Sequence, residues 1–441
     1  MRSLYKVLAP IAVTLLVLLL PNFGPAARAD DRSAVDPIRD WYRLTLELVR
    51  HTPTYSPPVA SRAFAYLGVT AFEALASGDE RLHTLAGQLN GLTPLPARES
   101  GAALDDAVVV QAAMAAVVGD LFANTGPTGQ RAIAAFGKKL QAKAAAGLPA
   151  ETVARSDAYG RAVAAHILAW SRSDGGAVVE NMGFPATYQP RNAPDAWVPT
   201  SLVAQQQAPL LPLWGSNRTF AMPDGSACGI PAPPAYSEEP GSAFYREAAE
   251  VHRTVLDLTP EQRAIARFWS DDPMLSPTPP GHWISIALRV LEDDGADAGR
   301  TAETLALLGV SMADAFIGCW HAKFEYDLIR PITYIRRVID PAWEPILNTP
   351  PFPEYPSGHS TQSGAAATVL AALFGEDRAF EDATHVDDGL PARSYASFRA
   401  AAEEAALSRL YGGIHFRAAI ERGLEQGRCI GAHVTALQTR R

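Results

Sequence analysis

Apolar residues recur every three to four positions through most long segments of this chain, and that spacing limits what it can fold into. Ile38, Trp41, Tyr42, Leu48 and Val49 make the first such stripe, with Thr45 as its one polar member. Further helical segments are expected at 60–76 (after Ser56-Pro57-Pro58), 103–123, 130–146 and 151–170. Helical spacing resumes at 244–256, 261–269, 282–292, 302–326, 358–373, 395–411 and 414–427. Apolar residues at this period build a helix with one face turned to a core. No run reads as a good extended strand. The many alanines fit close helix packing in bundles, so the expected fold is all-α.

Between these two helical regions lies a stretch of different character. Residues 174–242 are rich in Gly, Pro, Asn and Ser, with Pro185, Pro190, Pro194, Pro199, Pro209, Pro212 and Pro223 among them. A long irregular segment inside a compact protein is uncommon and often covers a site. The expected organisation is an N-terminal helical region at 30–173, this covering segment at 174–242, and a C-terminal bundle at 243–441. Residues 1–29 read as a signal peptide. Arg2 and Lys6 precede an apolar run from Val7 to Leu20, and Ala27-Arg28-Ala29 fits a small-x-small cleavage site. The apolar run is short for a membrane span. The expected location is secreted or periplasmic, with no transmembrane domain in the mature protein.

Charge narrows the possible partners. The chain carries 38 basic and 47 acidic side chains, a formal charge of −9. Without the three basic residues of 1–29, 35 face 47, or −12. A general nucleic-acid binder would normally present a basic surface, so no nucleic-acid partner is expected. A small basic pocket is not excluded by an acidic average. The three cysteines, Cys228, Cys319 and Cys429, show no CxxC spacing. Zinc clusters are therefore not expected. One disulfide is possible, and the spacing leaves its pairing open.

Three short segments suggest such a pocket. The first is Trp320-His321-Ala322-Lys323, followed six residues later by Arg330-Pro331. The second is Pro356-Ser357-Gly358-His359, at an expected helix start and preceded by a rigid proline-rich connector. The third is Ser408-Arg409, with five residues before His415. Lys323, Arg330 and Arg409 supply positive charge and many N–H donors. Ser357 adds a hydroxyl, Gly358 allows close backbone approach, and a helix start favours an anion. Two histidines remain for chemistry. This inventory suits a tetrahedral oxyanion such as phosphate or vanadate. Lys323 and Arg330 are seven apart, so one helix could carry both on one side, with Pro331 ending or kinking it.

In this order the segments resemble the signature of the vanadium-dependent haloperoxidase and type-2 phosphatidic acid phosphatase superfamily, K-x6-R-P, P-S-G-H and S-R-x5-H-x3-D. The last position departs, since Ala419 stands where the signature has Asp. His415 would then need another acid or a backbone carbonyl for its second ring nitrogen. Trp197-Val198-Pro199, Trp214-Gly215, Trp269, Asp271-Asp272 and Pro279-Pro280-Gly281-His282-Trp283 are similar to the soluble haloperoxidase-like branch.

The resemblance implies two four-helix bundles with surrounding helices and a vanadate site in the second bundle. It implies His415 as the metal ligand. Lys323, Arg330, Arg409, Ser357 and the N–H of Gly358 would hold the oxygens, and His359 would act as the acid–base residue. Trp320 and Phe352 resemble the aromatic residues on the halide side of chloride-oxidising members. Asp272, or else Asp271, is the candidate to pair with one of the arginines. The implied partners are hydrogen peroxide, a halide and a small organic acceptor. The Ala-rich helices leave a homodimer possible. The same residues would also serve a phosphatase working through a phosphohistidine at His415, or an exported oxyanion-binding protein without turnover.

Overall fold

The computed structural model describes residues 33–441, apart from 102, 180–182, 186 and 202–205. The expected signal peptide lies outside the described residues. The first helices are α1 (Val35–Arg50), α2 (Pro57–Ala76), α3 (Asp106–Leu121), α4 (Gly126–Ala145), α5 (Ala150–Ser171) and the short α6 (Gly176–Val179). Then come α7 (Ala243–Leu256), α8 (Pro260–Phe268), α9 (Thr278–Asp293), α10 (Ala298–Tyr326) and α11 (Pro331–Val338). The chain ends with α12 (Gly358–Phe374), α13 (Phe398–Tyr411) and α14 (Arg417–Thr435). Among the described residues the fold is all-α except for one small hairpin, β1 (Phe380–Asp382) paired antiparallel with β2 (Arg393–Tyr395).

Local chemistry sets many of these boundaries. Asp297, Ser242 and Ser397 cap α10, α7 and α13 by accepting from the backbone N–H three residues on, and Thr259 with Gln262 forms a reciprocal capping box on α8. The hairpin was not expected. Tyr395 belongs to β2, and α13 starts only after the Ser397 cap. The three-residue strands are too short to give an alternating signal.

Helices α1, α2, α3 and α5 make one bundle and α10, α12, α13 and α14 the other, with α2 and α10 packed side by side at the seam. That seam requires small residues. A Cβ on Gly68 would lie 2.6 Å from the Leu305 carbonyl oxygen, and one on Gly309 would lie 2.9 Å from Ala65. The α12–α14 contact is closer still, since a Cβ on Gly427 would sit 2.1 Å from the Thr361 carbonyl oxygen. Helix α10 is long and apolar enough by length and composition to cross a membrane, yet 94% of its most apolar window is buried in the protein.

The irregular segment crosses the end of α10. Trp197 N donates to Asp327 O at 2.9 Å, Ile329 N to Asp195 O at 2.8 Å, and Leu210 N to Pro351 O at 2.8 Å. Gly215 lies so close to α10 that a Cβ there would fall 2.4 Å from His321 N. A disulfide joins Cys228 to Cys429 and so ties the segment to α14, while Cys319 is a buried free thiol.

Candidate active site

Lys323 sits in the last turn of α10. The expectation that Arg330 shares its helix is corrected. Helix α10 ends at Tyr326, Asp327 turns left-handed at φ 46°, and Arg330 is the extended N-cap of α11 with Pro331 at the first helical position. Proline drives the residue before it out of helical geometry. Lys323 and Arg330 nevertheless converge, because the chain turns back between them. His415 is likewise off the expected helix. It lies in the connector before α14, after Gly413 at φ 78°. Ser357 is the N-cap of α12, which carries Gly358 and His359 in its first turn.

The three cations are buried. Lys323 is fully buried, and its Nζ donates to the carbonyls of Pro353, Glu354 and Pro356 at 2.8, 3.0 and 2.5 Å. Its three donors are thus occupied, and a direct grip on an anion requires exchanging one of them. Arg330 donates through Nε to Phe352 O at 2.8 Å and through Nη1 to Ile414 O at 2.9 Å. Arg409 donates through Nη1 to Trp269 O at 2.7 Å. Burial pushes Lys323 down to about 7, Arg330 to about 9 and Arg409 to about 10. Each shift means that the charged form is under-compensated where it stands.

Both histidines are held neutral; His415 is buried, and His359 is half-buried with its Nε2 turned inside. Burial, with Arg409 second, keeps His359 well below its usual range. Burial, with Arg330, Lys323 and Arg409 behind it, does the same to His415. His415 Nδ1 lies 2.8 Å from Glu354 Oε1, and Arg330 Nη1 lies 3.2 Å from His415 Nε2. Arginine can only donate, so Nε2 is the unprotonated nitrogen and Nδ1 carries the hydrogen. Nε2 therefore presents a lone pair inside the cationic cluster.

Glu354 went unassigned in the sequence. It is the only charged residue from Asn348 to Gly358, and that isolation was the available signal. Burial pushes its carboxyl up to about 8, against the pull of Arg330.

Several buried polar atoms here have no protein partner. They include Arg330 Nη2, Arg409 Nε and His359 Nε2. Buried polar groups are normally satisfied, so this set fits an absent acceptor-rich ligand. Gly358 supports the same reading. A Cβ there would make only ordinary contacts with Trp320 and Phe316, at 3.7 and 3.8 Å, so packing alone does not demand glycine. Vanadate, an oxyanion with a metal centre, matches these donors together with the Nε2 lone pair.

Trp320 and Phe352 stand together, with ring centroids 4.9 Å apart. Lys323 Nζ lies 5.1 Å and the Arg330 guanidinium 5.0 Å from the Phe352 centroid. The indole N–H of Trp320 is taken by Leu210 O at 3.1 Å. The pair therefore offers ring surface rather than a free donor.

The acidic pair divides. Asp272 is the first charge acting on Arg409, with Asp271 second. Of the two candidates, Asp271 makes its hydrogen bonds to two histidines rather than to an arginine. His282 Nδ1 lies 3.0 Å from both Asp271 oxygens, and His385 Nε2 lies 3.2 Å from Oδ1. His282 Nε2 reaches Asp382 Oδ2 on β1 at 2.7 Å. His385 Nδ1 continues to Asp388, which pairs with Arg50. The Trp269 ring stacks on His282 at 4.4 Å, and the Trp269 backbone holds Arg409 and His359. Asp382 and His385 could not be placed from sequence, since they reach the cluster only through β1 and the loop that joins it to β2.

Comparison with known proteins agrees with this geometry. The model of the VCPO second helical-bundle domain matches residues 303–341 and 338–441. A bacterial vanadium-dependent iodoperoxidase of known structure is 37% identical, with a TM-score of 0.83, covering 92% of this chain and 97% of that one. The chain belongs to the vanadium-dependent haloperoxidase family. A bacterial vanadium-dependent chloroperoxidase in its holo form shares the haloperoxidase fold at a TM-score of 0.67 and 18% identity, over 88% of this chain and 93% of that one. The vanadium chloroperoxidase of Curvularia inaequalis is 34% identical over 137 residues. That match spans 25% of this chain and 22% of the relative's length.

Proposed function

We propose that this haloperoxidase-family protein binds vanadate and oxidises halide with hydrogen peroxide, releasing a hypohalous species that halogenates a small organic acceptor. The observation that carries the reading is the set of buried unpartnered polar atoms beside the unprotonated Nε2 of His415, whose protein partner is Arg330 Nη1. Vanadate supplies a Lewis-acidic centre that activates hydrogen peroxide toward halide. His415 Nε2 would be its protein ligand, while Arg330, Arg409, Ser357 and the N–H of Gly358 would hold its oxygens. Lys323 contributes charge from its carbonyl cage. Because these cations are fixed by backbone carbonyls, they need little reorganisation to balance negative charge.

His359 is the acid–base residue in this reading. Its Nε2 is buried and unpartnered, and its neutral form can take a proton. The Trp320–Phe352 wall beside Lys323 and Arg330 suits a large polarisable anion. Iodide, the halide most easily oxidised, is the first substrate to test, in keeping with the iodoperoxidase likeness. Export is part of the proposal. The Arg2-to-Ala29 pattern supports it, as does the Cys228–Cys429 disulfide, since disulfides persist mainly in oxidising compartments.

The His359→Ala variant tests the chemistry. It should still bind vanadate but lose iodide oxidation by about 10²–10⁴-fold. Full retention of halogenation would remove His359 from the reaction. Hydrolysis of an aryl phosphate by the wild type, without any vanadate-dependent halogenation, would reassign the same residues to phosphoryl transfer.

A further inference from the structure

We infer that Glu354 is the positioning residue that fixes the tautomer and orientation of His415, in place of the acid missing at Ala419. This rests on the vanadate reading of the site. The chain departs from the S-R-x5-H-x3-D pattern at its last residue, and Ala419 is itself buried. Its carbonyl accepts from Ser357 N at 3.0 Å, so that position joins α14 to the start of α12 and offers no carboxylate. Glu354, from the proline-rich connector, supplies one. Its Oε1 accepts from His415 Nδ1 at 2.8 Å and from Phe416 N at 2.8 Å. These two contacts hold both the ring and the backbone beside it.

The same residue ties the other two segments. Glu354 N donates to Leu328 O at 2.9 Å, next to the Arg330 turn, and Glu354 O accepts from Lys323 Nζ at 3.0 Å. Arg330 in turn donates to His415 Nε2. Glu354 is fully buried, and its other oxygen, Oε2, has no partner. An acceptor at Nδ1 and a donor at Nε2 admit only the Nδ1–H tautomer, which leaves Nε2 as the ligand atom. Residues that orient a metal-binding histidine typically change affinity by about 10–100-fold when removed.

The test uses the vanadate-free full-length protein and two variants, Glu354→Ala and Glu354→Gln. Imidazole ¹⁵N NMR of His415 reads the tautomer, and equilibrium dialysis against orthovanadate reads affinity. Neither readout requires turnover. Glu354→Ala should mix the tautomers and weaken vanadate binding by about 10–100-fold. Glu354→Gln keeps an acceptor oxygen, so it should restore the Nδ1–H tautomer and recover part of the affinity. If Glu354→Ala does not fold, the contrast between wild type and Glu354→Gln remains: Nδ1–H in both supports the inference, and a tautomer lost in Glu354→Gln overturns it. Wild type that binds no vanadate would overturn the reading of the site. Wild type that binds, beside a Glu354→Ala protein with unchanged tautomer and affinity, would overturn the role of Glu354 alone.

Discussion

At the scale of single residues, burial makes the site reactive and also makes its supports pH-sensitive. His282 lies between Asp271 and Asp382, with His385 on the far side of Asp271. Burial alone would lower its pKa, but the two carboxylates outweigh that and hold it up at about 10. The folded protein therefore keeps a proton that the unfolded chain loses near pH 6.5. The contribution of the His282 proton is complete below that value and is lost as pH rises toward about 10. His282→Gln should cost about 3–5 kcal/mol at neutral pH, as expected when one partner of a buried ion pair is removed. It should also flatten the alkaline decline. Urea unfolding at pH 6, 8 and 9.5 checks this, and equal pH slopes in the two proteins would refute it. Lys323, Arg330, His359, Arg409 and His415 were legible as candidates because each falls in a short ordered motif, and the fold brings their charges to bear on His415. The histidine partners of Asp271 and the part played by Asp382 were not foreseen, since Asp382 and His385 come from a distant part of the chain.

Among elements, the long helices were legible, whereas the short α6 and α11 and the helix ends beside the site were not. Apolar periodicity sees the middle of a helix, whereas the ends depend on caps and prolines acting over single residues. That is why Arg330 and His415 were expected on helices and lie instead in connectors. What periodicity does not encode is how near two helices approach. On α14, Gly423, Gly427 and Gly431 repeat every four residues and face α12, where added Cβ atoms would collide with Ser360, Thr361 and Thr368. This contact presses the start of α12 against Ala419 and the connector that holds His415. Gly427→Ala should therefore spread the pair, costing about 1–3 kcal/mol through overpacking and weakening vanadate binding. Thermal unfolding alongside dialysis measures both. A variant with unchanged stability and affinity would show that the helices can separate without disturbing the cradle.

Over the whole molecule, the composition and the site have opposite signs. A chain with a formal charge of −9 gathers Lys323, Arg330 and Arg409 into one buried place. Three elements bring them there: the end of α10, the N-cap of α11 and the last turn of α13. The irregular segment lies against the first of these, held by backbone hydrogen bonds to 327–329 and 351 and by the Cys228–Cys429 bridge. Its composition marked it as unlike the bundles, but its course over the molecule depends on backbone pairing that no side-chain pattern records. In the proposed function, this buried cationic cluster holds vanadate for peroxide-driven halide oxidation. The most direct measurement is a titration of metal-free protein with orthovanadate, following triiodide formation from iodide and hydrogen peroxide. The predicted result is activity that is absent without vanadate and saturates at one vanadate per chain. Iodide oxidation that is equally fast without vanadate, or absent at every vanadate concentration, would contradict it.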